Sequence, residues 1–455
     1  MRKILLFVFF FNSSFPLFSQ QDSVLKNFKY RIDHYRAINL NVNGGSSYNK
    51  SELVSGDSKN SSSSGSFSVG MNTIKSTDKI LRTTAGHISS SFNSNRSENT
   101  TDINKYRSYF AAAQYSLLNK RFTDQHFIEY GIDVAGSINS NRQTSSNFSS
   151  ALKNKQSSYA VALPVGIGKG RLENITDMQN ALWLNHSLQE AGCLSGTLSP
   201  EELNQLGRSI TKGNNTRILD FRKRTQFILE TVDSYLQQKG LISKNDITYF
   251  SNLNDILFFA FNNNRLAGIE KFIRITPSFS GYNRNGTQSG VVDKYEMDPN
   301  ILSGLISIGF NKYKPTNLKH QDNYGAAVKL NYISWNSKER YFVSGLLTSE
   351  NKYEQDIKQA GLKLFYQHAF YPNTRTNINL NFETEGGYQG REDADEFYGM
   401  TILTGNLNYF ISYRTRLTFD IGAAYYKNIY TAYQTLLLQP DNIQFFVNAG
   451  IGINL

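Results

Sequence analysis

The stretch from Ile443 to Leu455 restricts the fold more than any other. Ile443, Phe445, Val447, Ala449, Ile451, Ile453 and Leu455 share one parity; Gln444, Phe446, Asn448, Gly450, Gly452 and Asn454 share the other. A period of two places the apolar side chains on one face of a single extended strand and leaves small or polar groups on the opposite face. A strand of this kind needs an apolar medium on one side and a polar one on the other.

The same alternation recurs along the chain. Ile38, Leu40 and Val42 alternate with Asn39, Asn41 and Asn43, and Ile128, Tyr130, Ile132 and Val134 with Glu129, Gly131, Asp133 and Ala135. Further strands are expected over 65–76, 80–93, 106–121 and 159–167, then around 273–279, 302–310, 324–332, 362–370, 378–382, 401–413 and 416–427. With the closing strand this gives six before residue 171 and eight after 271, or 14. Tight turns (Thr77-Asp78-Lys79, Thr123-Asp124-Gln125, Lys314-Pro315-Thr316 and Tyr371-Pro372-Asn373-Thr374) alternate with long polar links, read as loops, at 51–64, 95–104, 143–156 and 336–356. Short turns on one side and long loops on the other fit a transmembrane antiparallel β-barrel, mainly β, of about 14 strands.

Composition agrees. Hydrophobic residues make up 39% of the chain while aromatics reach 13%, with 31 Phe and 27 Tyr. Half of each barrel strand faces a polar interior, and aromatic rings collect at both interfaces. No segment after residue 20 approaches the roughly 20 apolar residues of a spanning helix. Residues 1–19 read as a secretory signal, with Arg2 and Lys3 before the apolar run Ile4 to Phe11. Losing both lowers the formal charge from +11 to about +9. No compact basic tract suggests nucleic acid, and the only cysteine, Cys193, excludes a disulfide framework. Residues 20–35 look like a short periplasmic lead-in.

From Arg171 to Lys271 the period becomes helical. Thr176 and Asp177 open a first helix that stops near Gly192, and Ser199-Pro200-Glu201-Glu202 carries a capping box with proline in the first turn. A longer helix ends at Gly240, and a fourth runs from Asp246 to Asn262. This insert holds equal numbers of acidic and basic residues. If the termini of the barrel are periplasmic, strand parity puts the α-helical insert there as well.

Motifs for chemistry are few. Gly166-Ile167-Gly168-Lys169-Gly170 lies between a strand and a helix, but its spacing is not the dinucleotide fingerprint, and it reads as a strand exit. None of the six histidines has metal-ligand spacing, and there is no Gly-x-Ser-x-Gly elbow. His368 shares parity with Leu364 and Phe370 and is assigned to the lipid interface. No catalytic residue, cofactor or metal ligand is assigned, and the chain is read as a non-enzyme, a barrel hydrolase being the minor alternative. Candidate lumen-lining residues are Glu129, Asp133, Lys329, Lys363, Asn377, Asn379, Asn381, Glu383 and Asp420, with Asn331 and Glu385 of the same parity.

The signal, the strand alternation and the terminal strand resemble those of Gram-negative outer-membrane β-barrel proteins, over residues 36–170 and 272–455. The resemblance implies outer-membrane lipid as surroundings and insertion by the barrel-assembly machinery through the last strand. The expected function is a pore or transporter for small polar solutes. The alternative is a non-conducting scaffold whose residues 171–271 bind a periplasmic protein or cell-wall polymer.

Overall fold

The computed structural model describes residues 24–453 except 54–55, 100–101, 147–151, 219, 260–264, 288–293, 392–393, 412–414, 433–434 and 439–441. Residues 1–19, read from sequence as a signal, and Leu455 lie outside the described residues.

The wall begins with β1 (Ile32–Leu53), β2 (Gly56–Ser76), β3 (Ile80–Glu98), β4 (Ile103–Thr123), β5 (His126–Ser145), β6 (Leu152–Ala162) and β7 (Val165–Asn174). Four helices follow: α1 (Thr176–Glu190), α2 (Pro200–Asn215), α3 (Phe221–Gln238) and α4 (Ile247–Phe259). It resumes with β8 (Leu266–Thr287), β9 (Lys294–Met297), β10 (Asn300–Pro315), β11 (His320–Val343) and β12 (Leu346–Asn373). β13 (Thr376–Gly390), β14 (Ala394–Phe410), β15 (Thr415–Ala432), β16 (Thr435–Leu438) and β17 (Asn442–Ile453) complete it.

Every pairing is antiparallel between neighbours along the chain, as in an up-and-down barrel. β6 and β7 together fill one place between β5 and β8, β9 and β10 one place between β8 and β11, and β16 and β17 both pair with β15. Among the described residues, seventeen strands thus make 14 crossings, six before the helices and eight after. Pro164 and Pro299 explain the first two breaks, because proline donates nothing to a ladder. β1 pairs with β2 and β17 with β15; the described residues show no pairing that joins β1 to β17.

The polar links read as loops are largely strand. Ser58–Ser66 pairs residue for residue with β1, and Ser47 and Ser62 bond across the strands at 2.8 Å. β3 runs on to Glu98, β5 to Ser145, and β11 and β12 meet at a two-residue turn, Ser344–Gly345, with φ of 51° and 76°. A barrel strand needs about 9–11 residues to cross a bilayer, whereas β1 has 22 and β12 has 28. Beyond the bilayer both faces of a hairpin meet water, so the ladder continues without alternation.

The helices stand at the rim that holds the β2–β3, β4–β5, β10–β11 and β12–β13 turns, called here the lower rim. Their core gathers Met178, Leu182, Leu188, Leu206, Ile210, Val232, Leu236, Tyr249 and Leu253. Val24, Leu25 and Phe28 belong to the same core, so the lead-in is part of this domain. Residues 171–174 and 266–271, assigned from sequence to the insert, extend β7 and β8. The Ser199 capping box forms as expected, and Asp220 and Asp246 cap α3 and α4.

Candidate functional site

Register turns the parity of each strand into a face. Ile128, Ile273, Ile308, Val328, Leu362, Leu380, Leu403 and Phe419 point outward and are exposed on the bare chain, as a lipid-facing band must be. The opposite parity lines the lumen, and there the candidates fall into three regions.

On β11 to β15 the lining is a series of ion pairs and short hydrogen-bonded chains between side chains of neighbouring strands. Lys329 pairs with Glu385 at 2.9 Å and Lys363 with Glu383 at 2.5 Å. Asn331 donates to Gln359 at 2.9 Å and Asn381 to Asn406 at 2.8 Å, and Asn406 donates to Asp420 at 2.7 Å. Asn379 donates to Asn377 at 2.5 Å; Asn377 is itself buried, close to the lower rim. Seven of the nine predicted lining residues are thus brought onto one wall.

Glu129 lies elsewhere and is not open to solution. It is 2% exposed and bound by Arg274 at 2.5 and 3.0 Å and by Lys120 at 3.2 Å. Lys120 also donates to both oxygens of Glu270 at 2.7 Å. Two acids and two bases from β4, β5 and β8 make a neutral network in which Lys120, Glu129 and Glu270 are buried and Arg274 is about a third exposed. Parity finds Glu129 and Arg274 separately, but only the register Glu129↔Gly166↔Arg274 shows that they meet.

The third region, on β1 to β6, is lined with amides, hydroxyls and small residues. A space of about 800 Å³ here borders Asn39, Asn41, Asn72, His87, Gln114 and Asp133. Asp133 is exposed and has no ion-pair partner among the described residues.

The helical domain touches the lower rim at points spread around it. Arg31, just before β1, binds Asp78 of the β2–β3 turn and Glu173 at the end of β7, both at 2.8 Å. Arg171 donates to Thr77 O at 2.7 Å and to Ser76 Oγ at 2.9 Å. Arg265, 1% exposed, donates to the carbonyls of Asn317, Leu318 and His320 and to Gln321, holding the β10–β11 turn. Arg375 of the β12–β13 turn pairs with Asp255 of α4. The domain and the segments that flank it thus contact crossings 1, 6 and 7 and the turns before crossings 3, 9 and 11.

Inside the domain, burial pushes the Tyr30 phenol up to about 12, so it stays neutral against Asn215. Among the described residues no group of three or more His, Cys, Asp and Glu side chains is arranged to hold a metal ion. The Gly166–Gly170 run is part of β7, as expected of a strand exit. Cys193 is buried beside α1.

No protein-family model and no curated protein matches the chain. Solved structures do. The β domain of the Bordetella autotransporter BrkA matches at 8% identity and TM-score 0.27, over 83% of this chain and 99% of that one. The translocator domain of the autotransporter NalP from Neisseria meningitidis matches at 10% identity and TM-score 0.23, over 82% and 91%. The Pseudomonas putida toluene transporter TodX matches at 8% identity and TM-score 0.30, over 90% of each chain. These neighbours are outer-membrane β-barrels; that this chain is a strand-rich antiparallel barrel rests on its own strand pairings. At such identity the likeness concerns fold alone.

Proposed function

We propose that the protein is an outer-membrane pore or transporter for small polar solutes whose helical domain covers the periplasmic mouth. The observation that carries this reading is the wall from Lys329 to Asp420: charged and amide groups bonded to one another beside a lumen, with no reacting constellation among them. Such a lining offers exchangeable hydrogen bonds to a hydrated solute. The even number of crossings returns both ends of the wall to the helical side, which in bacterial barrels is the periplasm. Export by the signal segment and insertion through β17 by the barrel-assembly machinery belong to the same reading, which assigns no enzymatic activity, cofactor or nucleic acid.

A second reading is a silent scaffold whose helical domain holds a periplasmic protein or cell-wall polymer. It is favoured by Ile247 and Phe250 of α4, 85% and 42% exposed on the surface of the domain. Planar-bilayer recording of the purified protein separates the two. Currents that rise when Arg375 is replaced by alanine support the covered pore. A barrel silent in both forms supports the scaffold.

A further inference from the structure

On the outer face of the wall, beside the β10–β11 turn, the lipid-facing parity carries polar groups. His320, Asp322 and Tyr324 of β11 stand against Tyr366, His368 and Phe370 of β12, with Asp322 directly opposite His368 and His320 opposite Phe370. Further up the same strands this parity holds Val328, Leu330, Leu362 and Leu364, which are exposed. The polar group therefore lies at the aromatic belt, where head groups and water reach.

We propose that His320 and His368 form a two-nitrogen site for a borderline divalent transition-metal ion such as Zn²⁺ or Cu²⁺. His320 Nδ1 and His368 Nε2 face each other at 3.3 Å. Two imidazole nitrogens, each about 2.0–2.1 Å from a tetrahedral zinc ion, stand roughly 3.3–3.4 Å apart, so the pair already has the bite of a chelate. The groups behind it set the orientation. Asp322 lies 2.9 Å from His368 Nδ1, which favours the proton on that nitrogen and leaves the Nε2 lone pair aimed at His320. Tyr366 and Thr316 in turn donate to Asp322 at 2.9 and 3.0 Å. Phe370 stacks on the His320 ring at 4.6 Å and 19°, fixing its plane.

Without metal, the 3.3 Å contact is a hydrogen bond from His320 Nδ1–H to His368. With metal, that proton moves to His320 Nε2, both imidazoles stay neutral and none is released. The remaining coordination positions fall to water or a head-group oxygen. Imidazole donors favour Zn²⁺, Cu²⁺ or Ni²⁺ over Mg²⁺ or Ca²⁺. Because His320 O accepts from Arg265 at 3.0 Å, a bound ion would stiffen the turn on which the helical domain is anchored.

The test uses the full-length barrel in detergent, with Zn²⁺ titrated calorimetrically and Cu²⁺ followed by electron paramagnetic resonance. One Zn²⁺ per chain and a Cu²⁺ spectrum showing two coupled nitrogens are expected. His320→Gln and His368→Gln should each weaken binding at least about tenfold, and Asp322→Asn roughly tenfold, while His186→Gln changes nothing. Equal binding by the unmodified protein and both histidine variants overturns the proposal. So does a Cu²⁺ spectrum of the unmodified protein without two coupled nitrogens, a result that needs no variant to fold.

Discussion

Arg375 and Asp255 join the β12–β13 turn to α4, tying the far side of the helical domain to a part of the rim three crossings from the end of the wall. Both side chains remain more than a third exposed. An ion pair of that kind contributes about 0–1 kcal/mol, enough to bias the domain's position and too little to lock it. Arg375→Ala should leave barrel stability unchanged while raising open-channel probability in planar bilayers, and high salt should reproduce the effect in the unmodified protein. A variant that conducts no more than the parent would show that the pair does not hold the cover.

The helical core includes residues that precede the first strand. Phe28 is 1% exposed, and a methyl group built on Gly207 would come within 3.0 Å of its ring. Phe28→Ala should cost the domain about 3–5 kcal/mol. Limited proteolysis should then cut within 176–259 while the barrel keeps its heat-modifiable migration on gels. Equal resistance of variant and parent would separate the lead-in from the domain.

Asp177 gives the domain a pH dependence. Burial pushes its carboxyl above the ordinary range, against the opposing pull of Thr211 at 2.8 Å and Asn214 at 2.9 Å. The folded state then binds the proton more tightly than the unfolded chain. Stability from this group is present below the unfolded value of about 3.9 and is lost as pH rises through the higher folded value. Asp177→Asn should flatten that decline, read from the fluorescence of Trp183 during denaturation across mildly acidic to neutral pH. A variant profile parallel to the parent's would remove Asp177 as the cause.

The network in the lumen tests whether buried charge is balanced. Replacing Glu129 with glutamine leaves Lys120 with Glu270 alone and removes the carboxylate that Arg274 binds. Removing one partner from a buried ionic network costs about 3–5 kcal/mol. Urea unfolding of the barrel in lipid vesicles should show a loss of that size, and Glu383→Gln, whose pair with Lys363 is partly exposed, a much smaller one. Equal losses would mean that burial does not set the difference.

Strand parity and helix caps were legible in the chain because each is a local pattern. Alternation placed Lys329, Lys363 and Asp420 inward and His368 outward, and Ser199 marked the start of α2. Three things were not local. The serine-rich run at 58–66 has no alternation, because outside a bilayer neither face is apolar, so it resembled a loop although its backbone pairs fully with β1. Val24, Leu25 and Phe28 are too few to show a period, and their partners lie some 150 residues further along. Contacts such as Glu129 with Arg274 and His320 with His368 depend on the register between strands, which parity alone does not supply.

The placement of Phe28 bears on how the wall is built. Most strand pairs among the described residues join successive crossings through short connections, so hairpins can zip one after another, whereas β6 and β7 meet β8 only across the helical domain. The domain inserted after β7 already grips the segment just before β1. Once it folds, crossings one to six form a tethered loop and the span left to close is shorter, a saving of less than about 1 kcal/mol because closure entropy grows only with the logarithm of length. The helices would then serve as an assembly clamp first, and as a cover only after the last strand arrives.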